Sequence, residues 1–298
     1  MDYFNKVLEK KEKILIFGRY GQLASTYHKY IGQNPNVLQL SSRDVNFLYP
    51  EKIPEIISDF KPKFIINTSA YTDVNGAEKN IDLARRINCK AVKILAEASK
   101  INNSILIHYS TDYVFDGNKI SRYKISDLPR PINNYGKSKF EGEKQIIKSN
   151  CNFFILRISW LVSEFSKNFL KTILFKLKEK EDLYIINDQV GTPISSDLVV
   201  KTTCKLLLGN FNTNKILHLS TRGKASWYEI ALYIHKIAKN INKDIFINPI
   251  RTEEYSTEIN RPKNSLFDIS EIETFINSSM PHWKQDITPL IKRMDIIN

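Results

Sequence analysis

Tyr135 and Lys139 stand four residues apart in YGKSK, which opens a helical segment after Pro129 and Pro131. Residues at that spacing share one face of a helix, so the Lys139 ammonium can lie beside the Tyr135 phenol and favour its ionised form. A phenol acidified in this way is a usable proton donor near neutrality. Reduction of a ketone needs such a donor, because a hydride arrives from a nicotinamide while a proton reaches the carbonyl oxygen. Thr111, at the end of the apolar run ILIHYS, is the natural second hydrogen-bonding group. A YxxxK pair standing by itself is usually no more than an exposed helical pair. Its weight depends on what accompanies it along the chain.

The accompanying elements alternate short β-branched runs with longer helical patterns. Lys13 to Phe17, Val37 to Leu40, Phe64 to Asn67, Ile105 to Tyr109 and Phe153 to Ile158 read as strands. Between the third and fourth, Ile81, Ala84, Ile87, Ala91, Leu95 and Ala98 recur at helical spacing and form one apolar stripe that must pack on a sheet. Apolar strands joined by helical crossovers imply an α/β fold, a Rossmann-type doubly wound parallel sheet, with ligands beyond the carboxyl ends of the strands.

The polar clusters fall at those ends. Gly18, Gly21 and Ala24 follow the first strand as GxxGxxA, where small residues let a turn and a helix amino terminus approach a dinucleotide pyrophosphate. After the second strand come Ser41, Ser42 and Arg43. These favour the 2′-phosphate of NADPH, although Asp44 could instead meet a ribose, as in NADH sites. Thr68, Ser69, Ala70, Tyr71, Thr72 and Asp73 follow the third strand and can line a dinucleotide cleft.

Composition narrows the classes. The 298 residues are 42% hydrophobic and carry a net charge of +12. That is ample for a folded core, but the lysines are scattered among acids and form no basic run interleaved with aromatics, which argues against nucleic acid. No apolar run reaches the length of a membrane helix, and the charged start is unlike a signal peptide, so a cytoplasmic protein is expected. The three cysteines form no CxxC pair and the five histidines show no metal-ligand spacing, so no metal site is expected and each histidine reads as structural. Ser110, His108 and Asp112 do not make a hydrolase relay, since alternate strand positions lack the nucleophile–base geometry and no GxSxG elbow is present.

From about Lys13 almost to the carboxyl terminus the chain resembles the extended branch of the short-chain dehydrogenase/reductase superfamily, and within it the dTDP-4-dehydrorhamnose reductase family. The resemblance rests on FGRYGQLA, NTSAYTDVNGAE, HYSTDYVFDG, PINNYGKSKFEGE, LRISWLV, INDQVGTPIS and RPKNS, in the family's order. It implies a nucleotide-sugar substrate, with Tyr135 as proton donor, Lys139 on the nicotinamide ribose and Thr111 on the sugar oxygen. Gly21, Gln22 and Leu23 would border the pyrophosphate. Ser41 to Val45, through Arg43 and Asp44, would meet the adenosine end, Ala70, Tyr71 and Thr72 the middle of the cofactor, and Tyr109 its nicotinamide side. Asp112 and Trp160 would face the deoxyhexose, and Arg261 the diphosphate. Asn75 stands where the family more often has Asp, and Asn46-Phe47 where a second acid is usual. Some members hold magnesium at a dimer contact through glutamates. No position here is assigned that role, and magnesium and a homodimer stay open.

Residues 1–12 read as an extension, 13–160 as the dinucleotide-binding domain, and 161–298 as a region that completes the Rossmann layer and forms a smaller substrate-binding lobe. In that second half helices are expected at Asn168 to Lys180, Asp197 to Leu208 and Trp227 to Ile241, and KILHLS as a strand returning to the sheet. Asp188 and Gln189 read as loop organisers. Three other functions fit the same fold: a reductase of another nucleotide-linked 4-keto sugar, a non-catalytic subunit like the regulatory subunit of methionine adenosyltransferase, and an epimerase or dehydratase of the extended branch.

Overall fold

A computed structural model of the chain describes residues 6, 7, 9–179, 182–209, 212–241, 244–255 and 259–297. Five apolar runs form the strands β1 (Ile14–Phe17), β2 (Val37–Leu40), β3 (Phe64–Asn67), β4 (Ile105–Thr111) and β5 (Asn152–Ile158). Later in the chain lie β6 (Leu183–Ile186), β7 (Lys215–Leu219) and β8 (Ile247–Ile250). The main sheet has the order β7-β5-β4-β3-β1-β2 and all its pairings are parallel. KILHL thus does return to the sheet, as an edge strand against β5.

The period-two alternation of the strands feeds two cores. Ile14, Ile16, Ile66, Ile107 and Tyr109 face helices α1 (Gln22–Ile31) and α8 (Ser196–Leu208), where Leu23, Tyr27, Val199, Val200 and Cys204 are buried with them. Leu15, Phe17, Ile65, Leu106 and Ile155 face the other way, onto α2 (Ile53–Phe60), α5 (Ala91–Ile101) and α6 (Asn134–Ser149). A third cluster joins α7 (Phe169–Lys178), α9 (Trp227–Ile237) and α11 (Trp283–Ile297), with β6 paired in parallel to β8 beside them. Three short helices, α3 (Val74–Lys79), α4 (Ile81–Arg85) and α10 (Ser270–Phe275), lie between these elements.

Three sequence expectations need adjustment. The long stripe before β4 is not one α-helix: Arg86–Lys90 winds as a π-helical turn between α4 and α5, and this turn directs Asn88 inward while Ile87 is only half-buried. Helix α9 stops at Ile237 rather than Ile241, because the N–H groups of Lys239 and Asn240 donate to the Asp295 carboxylate. Within the amino-terminal extension, of which 1–5 and 8 lie outside the described residues, Val7 is buried in the first core and Lys10 Nζ donates to the Leu208 carbonyl at 2.6 Å. Lys180 also lies outside them. No helix among the described residues is long and apolar enough to cross a membrane.

Candidate active site

The carboxyl ends of β1, β3, β4 and β5 open onto one cleft of about 580 Å³. At its β1 end, Gly18 has φ +111°, and a β-carbon there would lie 2.3 Å from the Thr68 hydroxyl, so only glycine allows β3 to come this close. Ala24 is the close-packed third small residue, 3.5 Å from that same point. Gly21 is the residue before α1, and a β-carbon on it would meet nothing among the described residues within 4 Å. No side chain among the described residues caps α1. Its first N–H groups and the positive end of its dipole therefore face open space, a cradle suited to a pyrophosphate.

Helix α6 supplies the other wall. The Asn133 side chain caps it by accepting the Gly136 N–H at 2.8 Å, and Gly136 lets it press against the turn after β4, where a β-carbon would fall 2.1 Å from the Tyr113 carbonyl oxygen. This contact sets Tyr135 beside the end of β4. The Tyr113 and Tyr135 rings meet edge to face at 5.5 Å, and Thr111 and Tyr135 line the same cleft. One turn on, Lys139 is 2% exposed and its Nζ donates to the Tyr109 carbonyl at 2.7 Å, with His108 Nε2 at 3.3 Å. A further turn brings Glu143, fully buried, into a two-pronged pair with Arg157 at 2.9 and 2.7 Å, and Ser110 Oγ donates to it at 2.5 Å.

The electrostatics differ from the expectation for a lysine-acidified phenol. Burial and the neighbouring Asp112 push the Tyr135 pKa up, against an opposing contribution from Thr111. Lys139, itself lowered to about 8 by burial, is turned toward β4. The phenol thus holds its proton firmly at neutral pH. Asp112 is raised to about 6, also by burial, and its carboxylate is tied to Ser265 Oγ at 2.5 Å and Thr111 Oγ1 at 3.0 Å.

Of the residues singled out from sequence, Gly21, Gln22, Leu23, Ala70, Thr72, Tyr109, Thr111, Asp112, Tyr135, Lys139, Trp160 and Arg261 line this one cleft. Others do not. Val45 is packed in the second core with Phe17 and Phe47, leaving only its backbone for a ligand. Tyr71 turns its hydroxyl toward Gly76, while its backbone N–H and carbonyl are both held by the inward Asn88. The Tyr109 hydroxyl points away from the cleft, in a buried chain with Tyr27 at 2.6 Å and Thr203 at 2.7 Å, so a nicotinamide would meet its ring or backbone. Asp44 folds back on Ser41, accepting its N–H and hydroxyl at 2.7 Å each, which leaves Ser42 and Arg43 exposed at the β2 end.

At the substrate end, Arg261 Nη2 donates to Asn75 at 3.3 Å, and its buried Nε has no protein partner among the described residues. Trp160, held at φ +47°, stacks on Trp227 at 3.6 Å, with Phe169 beside them. Asp188 accepts from Thr252 and Gln189 from Trp227, so both organise loops, as the sequence suggests. Thr68 and Ser69, expected from the sequence to line a dinucleotide cleft, line this one, and Tyr113 joins them just beyond β4. Lys167, Phe169 and Trp227 also line it, from a loop and helix starts that no strand-end rule marks. Nor does His108 serve only the core, since it touches Lys139. No group of three or more His, Cys, Asp or Glu among the described residues is arranged to hold a metal ion.

A parallel Rossmann sheet whose glycine turn opens an uncapped helix end, with Thr111, Tyr135 and Lys139 gathered beyond β4, defines a nicotinamide-dependent oxidoreductase of the short-chain dehydrogenase/reductase type. The chain belongs to the family described as RmlD substrate binding domain, which matches residues 12–296, that of the dTDP-4-dehydrorhamnose reductases. It is 34% identical over 282 residues to the dTDP-4-dehydrorhamnose reductase of Aggregatibacter actinomycetemcomitans, covering 92% of this chain and 96% of that one. The corresponding protein of Sinorhizobium fredii is 32% identical over 285 residues, covering 94% and 96%. The crystal structure of the Bacillus anthracis dTDP-4-dehydrorhamnose reductase in complex with NADP superposes with a TM-score of 0.88 at 30% identity, covering 94% of this chain and 98% of that one.

Proposed function

We propose that the protein uses NADPH to reduce the 4-keto group of dTDP-6-deoxy-L-lyxo-4-hexulose, giving dTDP-L-rhamnose, with Tyr135 as proton donor. The observation that carries this reading is the continuity of the cleft. It runs from the α1 amino terminus, past Thr111, Tyr135 and Lys139, to Arg261 and the stacked tryptophans. A dinucleotide and a nucleotide sugar can therefore meet at one phenol.

The positions of these residues along the cleft support a role for each. Gly21 and the first turn of α1 receive the pyrophosphate, and Lys139 serves the nicotinamide ribose. Ser42 and Arg43 are offered to a 2′-phosphate, with Arg19 close enough to act on Asp44 beside them, and this favours NADPH over NADH. When bound, the reduced nicotinamide supplies the hydride. Thr111 and Tyr135 hold the sugar oxygen, and the phenol, kept protonated by burial and Asp112, delivers its proton as negative charge develops there. Lys139 then stabilises the phenolate that is left. At the far end the Arg261 guanidinium lines the cleft where the diphosphate would lie, and Trp160 and Trp227 offer an apolar wall.

The test is NADPH oxidation by the purified protein with that 4-keto sugar, with the product identified by chromatography. Stoichiometric oxidation yielding dTDP-L-rhamnose is expected, with Tyr135→Phe lowering kcat by about 10²–10⁴-fold and leaving NADPH binding in place. Catalytic rather than stoichiometric cofactor use would instead identify an epimerase or dehydratase. Binding without turnover on a panel of nucleotide 4-keto sugars would point to a regulatory subunit.

A further inference from the structure

Strand β4 alternates, so His108 and Ser110 face α6 while Tyr109 faces α1. His108 is fully buried between Lys139 and Asn67, its direct neighbour in the β3–β4 register. Asn67 Nδ2 lies 3.1 Å from His108 Nδ1. The amide cannot be turned round without loss, because its Oδ1 accepts the Ser69 N–H at 3.0 Å. The NH2 group is therefore the end that faces the ring, and a donor there requires a lone pair on Nδ1. A neutral imidazole so placed carries its proton on Nε2, the nitrogen 3.3 Å from Lys139 Nζ. Burial, together with the lysine, keeps a second proton off the ring, holding the His108 pKa well below its usual value. Against an ammonium the Nε2–H is a donor facing a donor. Against an amine it is a hydrogen bond to the lysine lone pair.

The other groups around Lys139 do not reverse this. Tyr109 offers a carbonyl oxygen, which accepts from either form of the lysine. Glu143, one turn along α6, favours the ammonium, but it is already committed to Arg157 and Ser110. Tyr135, one turn before, faces Asp112 and Thr111.

We propose that His108, fixed in the Nε2–H tautomer by Asn67, is a positioning residue for Lys139 that favours the amine over the ammonium and so lowers the pH up to which the lysine stays charged. The tautomer stands independently of the function proposed above. Only the consequence for cofactor binding rests on that reading, through the placement of Lys139 at the nicotinamide ribose.

Nitrogen-15 NMR of the imidazoles, with the His108 signals assigned by their loss in His108→Gln, tests the first part. At pH 7 an unprotonated Nδ1 and a protonated Nε2 are expected, and the reverse tautomer overturns the proposal whatever the protein reduces. The second measurement is NADPH affinity followed by cofactor fluorescence from pH 6 to 10. Affinity of the native chain is expected to fall above about pH 8, where Lys139 loses its proton. In His108→Leu the break should move up by about one pH unit, leaving the variant about fivefold less weakened at pH 9 and approaching tenfold at pH 10. A uniform loss with the break unmoved is what a merely structural histidine would give, and it overturns the proposal. If His108→Leu does not fold, His108→Gln carries the same series, since its amide can turn a carbonyl to the ammonium and move the break the same way. Failure of the native chain to bind NADPH would sink the functional reading, and the NMR result would still decide this one.

Discussion

Asp112 places a carboxyl where water scarcely reaches it, at 4% exposure beside the reacting phenol. Hydrogen bonds from Ser265 and Thr111 do not offset the lost hydration, and the pKa rises to about 6. With the folded pKa above the unfolded one, the folded protein binds this proton more tightly. The contribution to stability is therefore whole below about pH 4 and lost as pH rises through about 6. Asp286, raised to about 6 by burial under Ser195, acts in the same sense, so a bare stability profile would mix the two. The difference between Asp112→Asn and the native chain isolates one of them. On going from pH 4 to pH 7 the variant should gain on the order of 2 kcal/mol relative to the native protein, which urea denaturation at a series of pH values would measure. A difference that stays flat across that range would mean that Asp112 is not held as a strained acid.

Helix α6 shows how one element carries a site, and how little slack it has. Asn133 starts it, Gly136 brings it onto the β4 turn, and its four-residue repeat then lines up Tyr135, Lys139 and Glu143 toward the strand. Gly136→Ala would drive a methyl group against the Tyr113 carbonyl, a backbone atom that cannot swing aside. We expect a cost of about 1–3 kcal/mol, seen as a fall in Tm of several degrees, and a kcat reduced more than the NADPH affinity because the phenol is displaced. An unchanged Tm would show that α6 does not depend on this contact. Such tightness was partly legible in the sequence. The five strands before residue 160 and the Tyr135–Lys139 spacing follow from apolar runs and helical period alone. The π-helical turn did not, because Ile81, Ala84, Ile87, Ala91, Leu95 and Ala98 fit an unbroken α-helix equally well. The gain that distorts it, Asn88 binding the Tyr71 backbone and Ser138, is a tertiary one. His108 was read as structural because metal-ligand spacing is a local test, whereas its approach to Lys139 depends on a crossover of thirty residues. Lys167 and Trp227 reach the cleft from the second half of the chain, where loop paths decide position and no periodicity marks them.

At the scale of the whole molecule, the net charge of +12 is distributed unevenly with respect to the cleft. Among the described residues the charged ones lining it are Lys139, Lys167 and Arg261 against Asp112 alone, an excess of cations that suits the two polyanionic ligands of the proposed reaction. Low-dielectric walls concentrate such a field and raise encounter rates, while mobile salt screens it over a Debye length of roughly 10 Å at 0.1 M. The effect belongs to arrival rather than to proton or hydride transfer. Raising KCl from 0.02 to 0.3 M should therefore lower kcat/KM for NADPH and for the nucleotide sugar several-fold, while kcat changes little. Lys167→Ala should flatten that salt dependence, because Lys167 belongs to the field at the mouth and not to the phenol's surroundings. If kcat/KM is indifferent to salt, or kcat falls in step with it, the excess charge is a compositional feature of the surface and the cleft gains nothing from it.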